Sequence, residues 1–229
     1  MTQESGYCDS AEKARADLVN YGRKIAERGL VAGPGGNTSV RVGDVVYLKA
    51  SGAAMEDAKP EHYIGISLET GEVVDGIGKP SCEILMHLGI YKARPDVGAV
   101  CHTHAPISSG IASAGKTIPP LLPDGVAMLG KNIPLVRYVI PAGSELAVAA
   151  TEALKECDVA LLANHGVLTV GANMREAYFR SIICEDAAKT YIAALIAGKP
   201  NILTDKEADE INNLEAEDYR RALIRGDVG

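Results

Sequence analysis

The sequence predicts one α/β domain in which helices and strands interleave from end to end. Three observations carry this prediction. Apolar residues recur at helical spacing in some stretches and alternate in others, and the two kinds of stretch take turns along the chain. No Ser/Gly-rich linker and no internal repeat divides them. The 229 residues, 47% apolar and 23% charged, suffice for one sizeable core and are too apolar for a disordered chain.

Ala11, Ala14, Leu18, Tyr21 and Ile25 mark a first helix, with Ser10 as N-cap and Gly29 as stop. The glycine-rich turn Gly33-Pro34-Gly35-Gly36-Asn37 follows. Residues 39–42 and 45–48, joined by Gly43-Asp44, read as a hairpin. A strand is expected over 64–68 and a helix over 82–91, behind Pro80-Ser81. Residues 97–103 are apolar and β-prone. Five prolines make 117–141 mostly irregular. A helix over 144–156 precedes two strands, 159–163 and 167–170, which flank Asn164-His165-Gly166. A long helix over 173–197, capped by Asn173, and a polar helix over 205–224 end the chain. All of residues 1–229 are read as one domain.

Composition narrows the function. There is no Trp and one Phe, so the core is aliphatic. The five cysteines form no C-x-x-C pair, which points to free thiols in a reducing, cytoplasmic setting. The polar start over 1–10 has no signal-peptide character. The uncharged stretch 97–115 holds two histidines, a proline and several serines, so it is no membrane span. A net charge of −7 excludes a general nucleic-acid binder and tells mildly against an anionic ligand.

The local motifs point the other way. His102 and His104 stand at i and i+2 at a strand end, so both face one side of a sheet. They are half of a metal site or two polar residues closing a strand. His165 also follows an apolar strand, and three neutral imidazoles with an open fourth position would describe a catalytic metal site. Glu83, near a helix start, could ligate a cation, move a proton, or simply favour the helix dipole. His87 shares its helical face and reads as a structural or supporting residue. Gly35-Gly36-Asn37-Thr38, Ser51-Gly52 and Ser81-Cys82 are short turns that offer backbone N–H groups to an anion, or are ordinary turns.

Taken in order, Gly36-Asn37-Thr38-Ser39, Ser51-Gly52, Lys79-Pro80-Ser81-Cys82-Glu83, His102-Thr103-His104 and Asn164-His165-Gly166 resemble the class II aldolase and adducin family, which includes sugar-phosphate aldolases and epimerases. The likeness runs over 18–197. It implies a three-layer α/β/α fold, with a central, mostly antiparallel sheet covered by helices on both faces. It implies a homotetramer with active sites between subunits. It assigns His102, His104 and His165 to one divalent ion, usually zinc, with manganese, iron or cobalt as alternatives. Glu83 becomes the acid/base carboxylate and, without substrate, a fourth ligand. Gly36, Asn37, Thr38, Ser51, Gly52, Ser81 and Cys82 would hold the substrate phosphate.

The reaction implied is cleavage of a short ketose 1-phosphate to dihydroxyacetone phosphate and an aldehyde, through a metal-stabilised enediolate. Glu83 favours this over epimerisation, for which the family carries Asp at that place. Three departures bear on the substrate. Cys82 stands where a second Ser is common, Pro34 where a Thr can be, and Leu122-Pro123-Asp124 where a tyrosine is expected. With Leu121 and Leu122 apolar, a deoxy- or methylthio-pentulose phosphate is expected. Tyr219 is matched loosely to the family's proton donor at the aldehyde. Decarboxylation of a sugar-acid phosphate or an aromatic acid, dehydration, and an adducin-like interaction module are the competing readings. No nucleic-acid or membrane partner is implied.

Overall fold

The computed structural model describes residues 8–227, so the first seven residues of the polar start lie outside it. Helix α1 (Ala11–Glu27) begins at Ser10, whose hydroxyl accepts from Lys13 N as the cap position requires. The hairpin is β1 (Asn37–Val42) and β2 (Val45–Lys49), followed by β3 (Tyr63–Ser67) and a short edge strand β4 (Val73–Asp75). Next come α2 (Ile84–Ala93), β5 (Ala99–Thr103), α3 (Pro106–Ser113), α4 (Pro123–Leu129) and β6 (Leu135–Val136). The remainder is α5 (Ser144–Ala153), β7 (Val159–Leu162), β8 (Gly166–Gly171), α6 (Met174–Ala197), α7 (Asp205–Asn212) and α8 (Glu215–Arg225).

Among the described residues, the strands join one sheet in the order β4-β3-β2-β1-β5-β8-β7-β6. Every pairing is antiparallel except β6 with β7. Strand alternation sends Ala99 and Cys101 of β5 to one face and Val100 to the other. The first face packs Leu18 and Ile25 of α1 and Met174, Ala177 and Cys184 of α6. The second packs Met86, Leu88 and Ile90 of α2, Leu146 and Ala150 of α5, and Leu154 at the α5 C-cap. This is the expected three-layer arrangement. Each fully buried Leu, Ile or Val contributes roughly 1.5–3 kcal/mol.

Several expectations need correction. The stretch 117–141 is mostly irregular, as expected, but it also holds two elements: Pro123 opens α4 from its first turn, where a missing N–H costs nothing, and β6 extends the sheet. The final helix is two helices. Thr204 and Glu207 form a capping box for α7, and extended Leu214 starts α8 with Glu215, Glu217 and Asp218 in its first turn. Helix α3 and edge strand β4 were not anticipated. All five cysteines are free thiols, as expected. Among the described residues no helix is long and apolar enough to cross a membrane.

Candidate active site

Strand β5 sets the site. His102 sits in its register opposite Asn37 of β1 and Leu168 of β8 and is fully buried. Its Nδ1 donates to Val167 O at 3.1 Å, which fixes the tautomer and leaves a lone pair on Nε2. His104 follows the strand end on the same face, held by its backbone N–H to Leu30 O. Its Nε2 lies 3.2 Å from His102 Nε2. Glu185 of α6 anchors the next turn by accepting from Ile107 N, Ser108 N and Ser108 Oγ at 2.8–3.0 Å.

The third imidazole arrives on the tight β7–β8 turn. Asn164 takes the left-handed conformation there (φ 56°), which Asn tolerates better than most residues. Gly166 permits the close approach: a Cβ on it would lie 2.2 Å from Thr103 O. His165 thereby reaches the cluster, with ring centroids 4.7 Å from His102 and 5.6 Å from His104. One donor atom from each of the three lies within 4.8 Å of the others. Two imidazole nitrogens on one tetrahedral zinc stand roughly 3.3 Å apart for bonds of about 2.0–2.1 Å. The His102–His104 spacing and the lone pair on His102 Nε2 fit that demand.

Glu83, at the N-cap of α2, faces the imidazoles. Its Oε1 lies 3.0 Å from His165 Nε2 and its Oε2 3.4 Å from His102 Nε2. Burial pushes its carboxyl up, but His102, His165 and the Asn37 amide more than reverse this and keep it ionised. Burial pushes His102 down to about 3, and it also lowers His104, with neighbouring His165 adding to the effect. Ring nitrogens with free lone pairs and a carboxylate are what a cation needs from its ligands.

The turns expected to bind an anion meet beside this cluster. Asn37 Nδ2 donates to Glu83 Oε2 at 2.7 Å and to Ser81 Oγ at 3.1 Å. Ser51 N donates to Lys79 O, and Ala50 bridges to Pro80, so the Ser51-Gly52 turn lies against the Ser81 turn. Gly36 must be glycine: it has φ 65°, and a Cβ would meet His102 O at 2.7 Å. Cys82 is exposed between Ser81 and Glu83. Thr38 is not brought to this group. It is fully buried, and alternation turns it to the opposite face from Asn37. Tyr219 is 61% exposed on α8, whose neighbours are α6 and, through Arg220 and Arg221, the α4 segment.

One residue was missed. Lys49 is buried, and its Nζ donates to Pro34 O at 3.0 Å and to Ala53 O. It ties the glycine-rich turn to the Ser51-Gly52 turn. Burial pushes its amine down, against the attraction of Cys82 and Glu83. The signal was a lysine in the alternation of an apolar strand, two residues before Ser51-Gly52.

Residues 16–192 match the family model described as Class II Aldolase and Adducin N-terminal domain. The chain belongs to that family. It is 35% identical over 205 residues to the 5-deoxy-D-ribulose 1-phosphate aldolase of Bacillus thuringiensis serovar kurstaki, a match covering 89% of this chain and 94% of that protein. It is 37% identical over 201 residues to the 5-methylthioribulose-1-phosphate/5-deoxyribulose-1-phosphate aldolase of Rhodospirillum rubrum, covering 86% of this chain and 88% of that one. Among solved structures, an L-fuculose 1-phosphate aldolase superposes with a TM-score of 0.84 at 30% identity, covering 94% of this chain and 99% of the other. The family and fold expected from the sequence are thereby borne out. Class II aldolases depend on a metal, and the histidine cluster supplies donors for one.

Proposed function

We propose that this chain is a divalent-metal-dependent aldolase acting on a ketose 1-phosphate of the 5-deoxy- or 5-methylthio-pentulose class, with dihydroxyacetone phosphate and an aldehyde as products. The observation that carries the reading is the convergence of three imidazoles and the Glu83 carboxylate beside turns rich in N–H groups. His102, His104 and His165 would hold the ion. Zinc suits the donor set best, with Mn²⁺, Fe²⁺ or Co²⁺ as alternatives, and such an ion supplies Lewis-acid stabilisation of charge on the ketose oxygens.

The chain's own residues do the rest. When the C3–C4 bond breaks, its electron pair stays on the dihydroxyacetone-phosphate carbon. Glu83 carries a proton to that carbon in cleavage and removes it in condensation. Tyr219, exposed on α8, is the proposed proton donor at the aldehyde oxygen in condensation. Gly36, Asn37, Ser51, Gly52, Ser81 and Cys82 offer N–H and hydroxyl donors to the phosphate, and Lys49 ties together the turns that carry them.

The reading extends to one domain over 1–229 and a homotetramer with sites between subunits. The apolar groove of about 540 Å³ lined by Ile107, Ile111, Tyr191, Ile192 and Leu195 suits burial against another copy. Free thiols agree with a cytoplasmic location.

Substrate class rests on the two pentulose-phosphate relatives and on apolar Leu121 and Leu122. A kinetic comparison tests it. We expect kcat/KM for 5-deoxyribulose 1-phosphate to exceed that for L-fuculose 1-phosphate by about 10-fold or more, since an aldehyde end bounded by Leu121 and Leu122 would leave the extra hydroxyls unpaired. The opposite preference would overturn the substrate class and leave the aldolase reading standing.

A further inference from the structure

The hydrogen bonds behind Glu83 form a chain that runs away from the imidazoles into the core. Glu83, His87 and Tyr91 stand at i, i+4 and i+8, one face of α2 and its cap. Asn37 and Ser39, two apart on β1, face them. The carboxylate of Glu83 can only accept, so Asn37 presents its amide Nδ2, at 2.7 Å. That orientation turns Asn37 Oδ1 onto His87 Nε2, which must then carry the proton. His87 is fully buried, and burial pushes it down to about 4, so its ring is neutral and Nδ1 keeps a lone pair. Ser39 Oγ, 2.7 Å away, donates to that lone pair. Tyr91 closes the chain, its hydroxyl 2.9 Å from Ser39 Oγ and 3.0 Å from Ser39 O.

Each member has one arrangement that satisfies its neighbours as far as Ser39. A side chain present only to fill volume would not need this directionality. The tautomer is also the reverse of that of His102, which is protonated on Nδ1. We infer that His87 is a positioning residue: fixed as the Nε2–H tautomer by Ser39, it locks the Asn37 amide and so holds Glu83 in the orientation its proton transfer requires. The inference rests on the reading of Glu83 as the acid/base carboxylate.

Two variants and one spectrum test it. In His87→Gln the amide can reach the place of Nε2 and donate to Asn37 Oδ1. In His87→Asn the shorter side chain reaches only toward Ser39. Exchange of the dihydroxyacetone-phosphate proton with solvent deuterium, followed by NMR on the metal-loaded protein, should fall roughly 10–100-fold in His87→Asn with KM little changed. His87→Gln should recover most of that loss. Equal losses in the two variants would reduce His87 to a packing role and overturn the inference.

A long-range ¹H–¹⁵N spectrum of the unmodified protein should show His87 protonated on Nε2 alone, and protonation on Nδ1 would overturn the inference without any variant having to fold. This second arm is independent of Glu83. Failure of the Glu83 reading would show as undiminished exchange in a Glu83 variant and would leave the tautomer result in place.

Discussion

Glu83→Gln removes exchange of the dihydroxyacetone-phosphate proton while the protein still binds its divalent ion. The side chain keeps its size and can still accept from Asn37 through its amide oxygen, but it can no longer take up the proton. General acid–base catalysis contributes roughly 10²–10⁴-fold, and the exchange rate should fall by that much. Metal content, measured by elemental analysis, should stay at one ion per subunit, because the three imidazoles are untouched. The 6% exposure of Glu83 matters here: with so little water at the carboxylate, solvent cannot easily substitute as base. Exchange at the unmodified rate would remove Glu83 from its assigned role.

His104→Ala loses metal and activity together. The variant leaves two imidazoles and Glu83, with one of the three imidazole donors of the site removed. Affinity should fall by more than about 100-fold, beyond the cost of losing an outer-shell partner. His104 is the better choice for this test than His102. His102 is wholly buried in the sheet and bonded to Val167 O, so its loss would also open a core cavity. His104 lies past the strand end and is only partly buried. Circular dichroism should therefore report an unchanged fold while titrated metal no longer binds. A variant that bound metal stoichiometrically yet lacked activity would contradict the ligand assignment.

Much of the site was legible because its chemistry is local. His102 and His104 share a face through the two-residue period of a strand, and His165 could be placed by the apolar run before it. Thr38 was misplaced for a reason of the same kind. With the strand drawn from 39, Thr38 falls in the turn, whereas the ladder already begins at Asn37, and alternation then sends Thr38 away. The contact between Asn37 and His87 spans 50 positions and depends on how α2 packs on β1, which no local spacing encodes. Lys49 was hidden because its role lies in two turns that meet only in the folded chain. The last helix splits at Asn213 and extended Leu214, where the Asn212-Asn213 pair, poor in helix propensity and suited to a helix C-terminus, was the signal. The net charge of −7 told against the proposed phosphorylated ligand, because the N–H and hydroxyl donors of the turns are local and neutral and do not enter a sum of charges.

The most direct test of the central claim is product analysis with the metal-loaded protein on a panel of ketose 1-phosphates and keto-acid phosphates. The account predicts dihydroxyacetone phosphate and an aldehyde in equal amounts from a ketose 1-phosphate, lost on chelation and restored by a divalent ion. Carbon dioxide from an acid substrate, with no dihydroxyacetone phosphate from any ketose phosphate, would contradict it.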